Sequence, residues 1–383
     1  MYFFYFASLG ILLPYLGLYL QSLGYVAAQV GLVFAVIQGT KIIAPNIWAW
    51  LSNVQHGGMS MVRLAALLSC MAFSLMLLSN SLMTIIIISF LFSFFWNALL
   101  PQFEVVTLNL LGDATASYGR IRLWGSVGFI VAVTGGGWLL ETVGLEYWPH
   151  ITLLILGLVL SACFFVKSAE RTTLSTSSTS MKSVLMDKQI IAFFTVLFLL
   201  QASHGPYYSF FSIVLNEQGY TESQVGQFWS LGVIAEIVLF LIMHHVLKQV
   251  SLRGALLISI LLTMTRWLLM AWFVDSLPVL IIAQVLHAIS FGAFHLICIQ
   301  LVHQHFRGEH QIKGQALYSS IGFGAGGMCG SLLAGYFWEA IGQEWVFTIA
   351  AGISVVAYFV ALKWIHPDEY PKKRLVEMGR FQE

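Results

Sequence analysis

Charge is what this sequence has least of. Its 383 residues include 18 Lys and Arg and 17 Asp and Glu, 9% of the chain, where a soluble domain carries about 25%. So few charges cannot coat a water-facing surface of this size, which excludes a soluble globular protein. Net charge is +1 and no basic cluster is expected on a folded surface, so no nucleic acid is expected as a partner. Cysteine is scarce too: Cys70, Cys163, Cys298 and Cys329 each sit inside an apolar run. They are too scattered for a disulfide framework or a metal site and read as buried thiols. Neither a D-x-x-x-D acidic pair nor H-E-x-x-H occurs, so an enzyme is not expected, and no metal or cofactor either. No signal-peptide pattern precedes the first apolar run, which begins at Met1 and reads as a spanning helix.

What the chain has instead is apolar length, with 58% hydrophobic residues and 14% aromatic. One membrane crossing takes about 20 residues. Apolar runs set against turn signals give spans at 1–22, 27–50, 64–79, 83–111, 121–140, 147–167, 188–216, 222–247, 254–273, 278–303, 311–338 and 345–365. The expected fold class is therefore all-α integral membrane, with twelve transmembrane helices. Cytoplasmic loops of membrane proteins are enriched in Lys and Arg. Sixteen of the 18, from Arg63, Arg120 and Arg122 to Lys372, Lys373, Arg374 and Arg380, fall on the side of the two termini. Lys41 and Arg266 lie within spans, and the opposite loops hold only Glu141, Glu146, Glu217, Glu222, Asp275, Glu339 and Glu344. Both termini are expected to be cytoplasmic.

The chain also repeats itself. Gly24-Tyr25 with Gln29-Val30-Gly31 recurs 195 residues later as Gly219-Tyr220 with Gln224-Val225-Gly226. Ser126-Val127-Gly128-Phe129 recurs as Ser320-Ile321-Gly322-Phe323, at an offset of 194. Two matches at nearly one spacing indicate six-helix bundles at 1–167 and 188–365, related as a parallel repeat. A polar cytoplasmic linker at 168–187 joins them, and a cytoplasmic tail follows at 366–383. Two such bundles can rock about a central cavity, as carriers do; a channel is disfavoured.

A charge inside the bilayer costs several kcal/mol, which makes each one a functional candidate. They are Lys41, Glu104, Glu236 and Arg266, with Arg122 at the entry of the fifth span. Lys41 and Glu236 are 195 residues apart, so opposite charges occupy equivalent places in the two bundles. They can pair and hold the bundles together, and can separate or protonate during transport; the two roles are compatible. His287 and His295 share a face of the tenth span with Phe291 between them, but lie about 12 Å apart, too far for one metal ion. Gln201, His204 and Tyr208 line one side of the seventh span beside Gly205-Pro206. Such a face serves interhelical hydrogen bonding or ligand contact equally well. His244, His245, His303, His305 and His310 are expected to be solvated at helix ends.

Gly119-Arg120-Ile121-Arg122-Leu123-Trp124-Gly125-Ser126-Val127-Gly128 resembles the G-R-x-R-x-[FW]-G-x-x-G segment of lactose-permease-like proton symporters in the major facilitator superfamily. In that family an arginine of this segment pairs with a carboxylate of the fourth helix to bind sugar, which implies Arg122 and Glu104 here. The family's glutamate, arginine and histidine in helices 8, 9 and 10 are matched in order by Glu236, Arg266 and His287. The chain is also similar to the bacterial 3-phenylpropionate transporter branch. That similarity runs through Leu200-Gln201, His204, Tyr207-Tyr208, Trp229-Ser230-Leu231-Gly232-Val233, Ala235-Glu236, Arg266-Trp267 and Gln284-Val285-Leu286-His287. The loop between the second and third spans departs from the superfamily pattern, with Asn53 where an acid is usual.

The resemblance implies a proton-coupled symporter of the bacterial inner membrane, active as a monomer, with a small molecule and protons as its partners. Glu236 would carry the proton, Arg266 drive its release, and His287 relay it or bind substrate. Counting Arg122, three cations face two carboxylates, and the surplus positive charge suits a monocarboxylate. Tyr207, Tyr208, Phe211, Trp229 and Phe291 offer surfaces for an aromatic ring. The substrate residues implied are thus Lys41, Glu104, Arg122, Trp124, His204, Tyr208 and His295. A sugar would instead use Glu104 and Arg122 for its hydroxyls and a tryptophan, Trp124, for its apolar face. A sensor built on a carrier fold would bind ligand without net flux. The orientation has a direct check. A fluorescent protein fused after Glu383 is expected to fluoresce, and alkaline phosphatase inserted after Asp275 to be active; the reverse pattern contradicts it.

Overall fold

The computed structural model describes residues 1–54, 58–112, 117–166, 185–306 and 310–366. Most of the linker and the tail, and with them Lys167, Arg171, Lys182, Arg307, Lys372, Lys373, Arg374 and Arg380, lie outside the described residues. So does part of the loop after the second span, at 55–57, and the side chains of Asn53 and His244. The described helices are α1 (Tyr2–Ser22), α2 (Ala27–Val54), α3 (Gly58–Ser74), α4 (Leu82–Leu111), α5 (Tyr118–Val143) and α6 (Trp148–Phe164). They continue as α7 (Lys188–Glu217), α8 (Glu222–Gln249), α9 (Leu252–Trp272), α10 (Leu277–His305), α11 (310–341) and α12 (343–364). By length and apolarity there are eleven runs among the described residues, the last of 52 residues. Gly342, at φ 83 and ψ 160, breaks that run into α11 and α12.

The third span starts at Gly58 rather than near residue 64. The reason is Arg63, whose Nε and Nη2 donate to the carbonyls of Cys163 and Val166 at 3.1 and 3.0 Å. A cation there satisfies orphan carbonyls at the end of α6, and the turn that carries it is drawn into the helix. His305, expected to be solvated, is 1% exposed against Phe193.

The sequence repeat is also a conformational repeat. After α1, Gly24 takes φ +85 and the Tyr25 amide bonds back to the Leu20 carbonyl at 3.2 Å. After α7, Gly219 takes φ +85 and the Tyr220 amide bonds to the Leu215 carbonyl at 3.0 Å. This left-handed helix end needs glycine, because a Cβ collides with the following carbonyl. The next helix is opened in each case by a glutamine, Gln29 or Gln224, whose Oε1 accepts from the amide three residues earlier.

At the end of the molecule opposite the termini, the two halves meet backbone to backbone. A Cβ on Gly31 of α2 would lie 2.8 Å from the Cα of Gly335 in α11. One on Gly137 of α5 would strike the Glu222 carbonyl, and one on Gly226 of α8 the Val133 carbonyl. Tyr15 closes the same seam by donating to the carbonyls of Val133 (2.6 Å) and Glu222 (3.2 Å). Each half also supplies a carboxylate to a helix start in the other. Glu339 accepts from the Ala27 amide at 3.0 Å and Glu141 from the Ser223 amide at 3.2 Å. Small residues replace hydrophobic driving force between membrane helices, because lipid is as apolar as leucine.

Overpacking such a seam costs about 1–3 kcal/mol. Gly226→Val is therefore expected to lower the melting temperature in detergent, and Gly135→Val, where no atom lies within 4 Å, to leave it unchanged. Equal effects of the two would contradict the seam.

Candidate functional site

Two glycines make room for the most buried ionisable pair. On α8, a Cβ at Gly232 would come within 3.2 Å of the His287 ring; on α10, a Cβ at Gly292 would come within 3.2 Å of Glu236 Cγ. Each helix thus yields space where the other projects a titratable side chain. Through that gap His287 Nε2 lies 3.0 Å from Glu236 Oε1, with the side chains 7% and 14% exposed. It is the ion pair found among the described residues.

Around this pair the walls are aromatic. His287 stacks on Phe291 at 5.3 Å and 3° between planes, and Phe291 on His295 at 6.2 Å and 11°. Residues four apart on an α-helix diverge by about 40°. Here the π-helical turn at Ala288–Ala293 wraps more residues per turn and keeps the three rings in one column. His295 Nδ1 is 2.6 Å from the Tyr318 hydroxyl, and Phe323 closes the column's lower edge at 6.1 Å.

Arg266 does not sit against Glu236. The sequence pointed to it as the partner that drives proton release, but no carboxylate lies within 4 Å of it among the described residues. Fully buried, it donates from Nε to the Ala283 carbonyl at 2.8 Å and from Nη1 to Ser290 Oγ at 3.3 Å. Its guanidinium carbon lies 4.1 Å from the Tyr207 ring and 4.8 Å from that of Trp267, a cation–π seat that holds the charge without an anion. Tyr207 in turn donates to Gln284 Oε1 at 2.8 Å.

The seventh span is broken at His204, between Lys188–Ser203 and Gly205–Glu217, because Pro206 has no amide to donate. His204 Nδ1 lies 2.7 Å from the Leu200 carbonyl, and its ring packs edge-on to Trp267 and parallel to Tyr208. Tyr208 also meets Trp229 and Phe291, each at about 6 Å. The rings of His204, Tyr208, His287 and His295 therefore all lie within 6.2 Å of the Phe291 ring.

In the N-terminal half the charges stay apart. Lys41 Nζ is 2.6 Å from Gln38 Oε1, one turn back on its own helix, and 5.8 Å from the Phe323 ring. It pairs with neither Glu236 nor Glu104. Glu104 accepts from the Tyr118 hydroxyl at 3.2 Å. Arg122 lies flat on Phe6, its guanidinium carbon 4.0 Å from the ring centre, so the arginine–carboxylate pair implied by the family pattern is not closed here. Trp124 is not brought to these residues. It is 61% exposed and shares a face of α5, at seven-residue spacing, with Val131 and Trp138, also exposed. The face of α5 that packs runs through Gly125, Gly128, Phe129 and Val133 instead. Phe6, Gln38, Tyr118, Tyr318 and Phe323 escaped the sequence reading. Phe323 alone had left a signal, as the last residue of the Ser320–Phe323 repeat.

Comparison with known proteins agrees with this architecture. A sequence model of the MFS_1 like family matches residues 1–349. The chain is 28% identical over 374 residues to an Escherichia coli (strain K12) protein named "Probable 3-phenylpropionic acid transporter", covering 94% of this chain and 96% of that one. It is 23% identical to a protein named "Maltose permease" from Geobacillus stearothermophilus, over 90% and 89% of the two chains. Its fold is shared by a mutant form of the nucleoside transporter NupG, with a TM-score of 0.84 at 16% identity, over 95% of this chain and 98% of that one. With twelve apolar helices, a repeat between its halves and a family match along most of its length, the chain belongs to the MFS_1 like family of major facilitator transporters, multi-pass membrane proteins that are not enzymes.

Proposed function

We propose that this transporter is a proton-coupled symporter that imports a small aromatic monocarboxylate of the 3-phenylpropionate kind. The observation that carries the reading is the contact between Glu236 and His287, 3.0 Å long and walled by aromatic rings. One proton added to a carboxylate and an imidazole at this ion-pair distance makes them a neutral pair, and ionisable groups in a membrane interior pair with one another. Removing the proton leaves a carboxylate without a counter-ion in direct contact, since Arg266 is held by Ala283, Ser290 and Tyr207. The pair is therefore stable loaded and costly empty, unless the site opens to water.

Charge balance then favours symport. Lys41, Arg122 and Arg266 face Glu104 and Glu236, a surplus of one positive charge. A proton alone adds to that surplus, and a carboxylate alone cancels it. Proton and carboxylate together leave it as in the empty carrier, so coupled binding adds no net charge to the halves as they rock. The rocking units are residues 1–167 and 188–365, joined by 168–187, with the tail at 366–383. With both termini in the cytoplasm of a bacterium and the protein in its inner membrane, the glycine seam closes the outer face. The monomer is the functional unit. The relative named as a 3-phenylpropionic acid transporter supports the aromatic acid. The one named as a maltose permease keeps a sugar as the second reading, through Glu104 and Arg122.

Uptake of labelled 3-phenylpropionate into proteoliposomes tests both. Wild type is expected to accumulate the acid only with an inward proton gradient, indifferent to lactose or maltose. Glu236→Gln, fixed in a neutral form, should lose gradient-driven accumulation at least tenfold yet still exchange bound for free substrate. Gradient-driven sugar flux without acid flux would move the reading to sugar. Binding of the acid with no flux at all would leave a sensor.

A further inference from the structure

Resting on the aromatic-acid reading just given, we infer that Lys41 is the specificity residue for the substrate's carboxylate, and that this anchor is separate from the proton site. Lys41 lies in the middle of α2, at the position equivalent to Glu236 in the other half. The two take opposite solutions to the same burial problem. Glu236 has a titratable partner at 3.0 Å, whereas among the described residues the Lys41 ammonium has a neutral amide oxygen, that of Gln38, as its hydrogen-bond acceptor at 2.6 Å. No carboxylate lies within 4 Å of it among the described residues. An ammonium at membrane depth that is solvated by one amide has spare donors and calls for an anion.

The other charges of that half are committed elsewhere. Glu104 is turned to Tyr118, and Arg122 lies flat on Phe6. Next to Lys41, across the boundary between the halves, stands Phe323, whose ring is 5.8 Å from Nζ and 6.1 Å from both Phe291 and His295. A molecule with its carboxylate on Lys41 would therefore lay a ring against the column of Phe291 and His295, which leads to His287 and Glu236. Such a ligand bridges α2 of one half to α10 and α11 of the other.

The test compares 3-phenylpropionate with its uncharged isostere, 3-phenylpropanamide, as competitors of labelled acid and as labelled substrates in proteoliposomes. Wild type is expected to favour the acid strongly. Lys41→Gln should lose acid uptake about 30-fold or more, the scale of one charge-assisted hydrogen bond, while amide uptake stays within about threefold. Lys41→Arg should restore preference for the acid. A purely structural role would depress both substrates together and leave their ratio unchanged, and amide uptake serves as the check that the variant is folded. An acid-to-amide ratio in Lys41→Gln equal to that of wild type overturns the anchor and leaves the aromatic-acid reading standing. Wild type that takes neither compound overturns that reading, and the anchor with it.

Discussion

A charge left without a partner inside a bilayer is more expensive than almost any packing fault, and the architecture follows from how each such charge is accommodated. Glu236 is matched by His287 across a gap cut by Gly232 and Gly292. Arg266 is matched by carbonyl, hydroxyl and aromatic faces. Arg122 rests on Phe6, Glu104 on Tyr118, and Lys41 on Gln38. The C-terminal half thus holds a closed, buried pair, and the N-terminal half holds charges tied only to neutral groups. That division suits one half to carrying a proton and the other to meeting a charged substrate.

The rest of the fold gives these groups a boundary that can open. At the end opposite the termini, Gly31 against Gly335 and Gly137 and Gly226 against carbonyls bring backbones together, with the Tyr15 side chain set between them. The crossed helix caps from Glu141 and Glu339 add hydrogen bonds that water can replace on separation. The matching turns at Gly24 and Gly219, both at φ +85, show that the two halves present equivalent helix starts to this seam.

Most of the architecture was legible because it is written in quantities a sequence states outright. Apolar length gave the spans, the 195-residue offset gave the repeat, and intramembrane charges gave Lys41, Glu104, Glu236 and Arg266. What stayed hidden was the direction in which long side chains reach. Arg266 and Glu236 fall on helices consecutive in sequence, yet the guanidinium turns to Ala283 and Tyr207 while His287 takes the carboxylate. Arg122 and Glu104 follow the family spacing but lie apart, because a flat aromatic face competes with the carboxylate. Trp124 stands within the motif that carries the family resemblance, yet seven-residue spacing with Val131 and Trp138 places it on the exposed face of α5. The start of α3 was misplaced because Arg63 finds its partners 100 residues away, at the end of α6.

The central claim is that the Glu236–His287 pair moves one proton with each substrate molecule. Its most direct test is the pH of a lightly buffered medium when 3-phenylpropionate is added to proteoliposomes with no imposed gradient. The account predicts that the medium turns alkaline as substrate enters, in a fixed ratio to labelled uptake, and that a protonophore abolishes the change. Labelled uptake with no pH change would contradict it, and would leave a carrier whose buried pair serves only to hold α8 against α10.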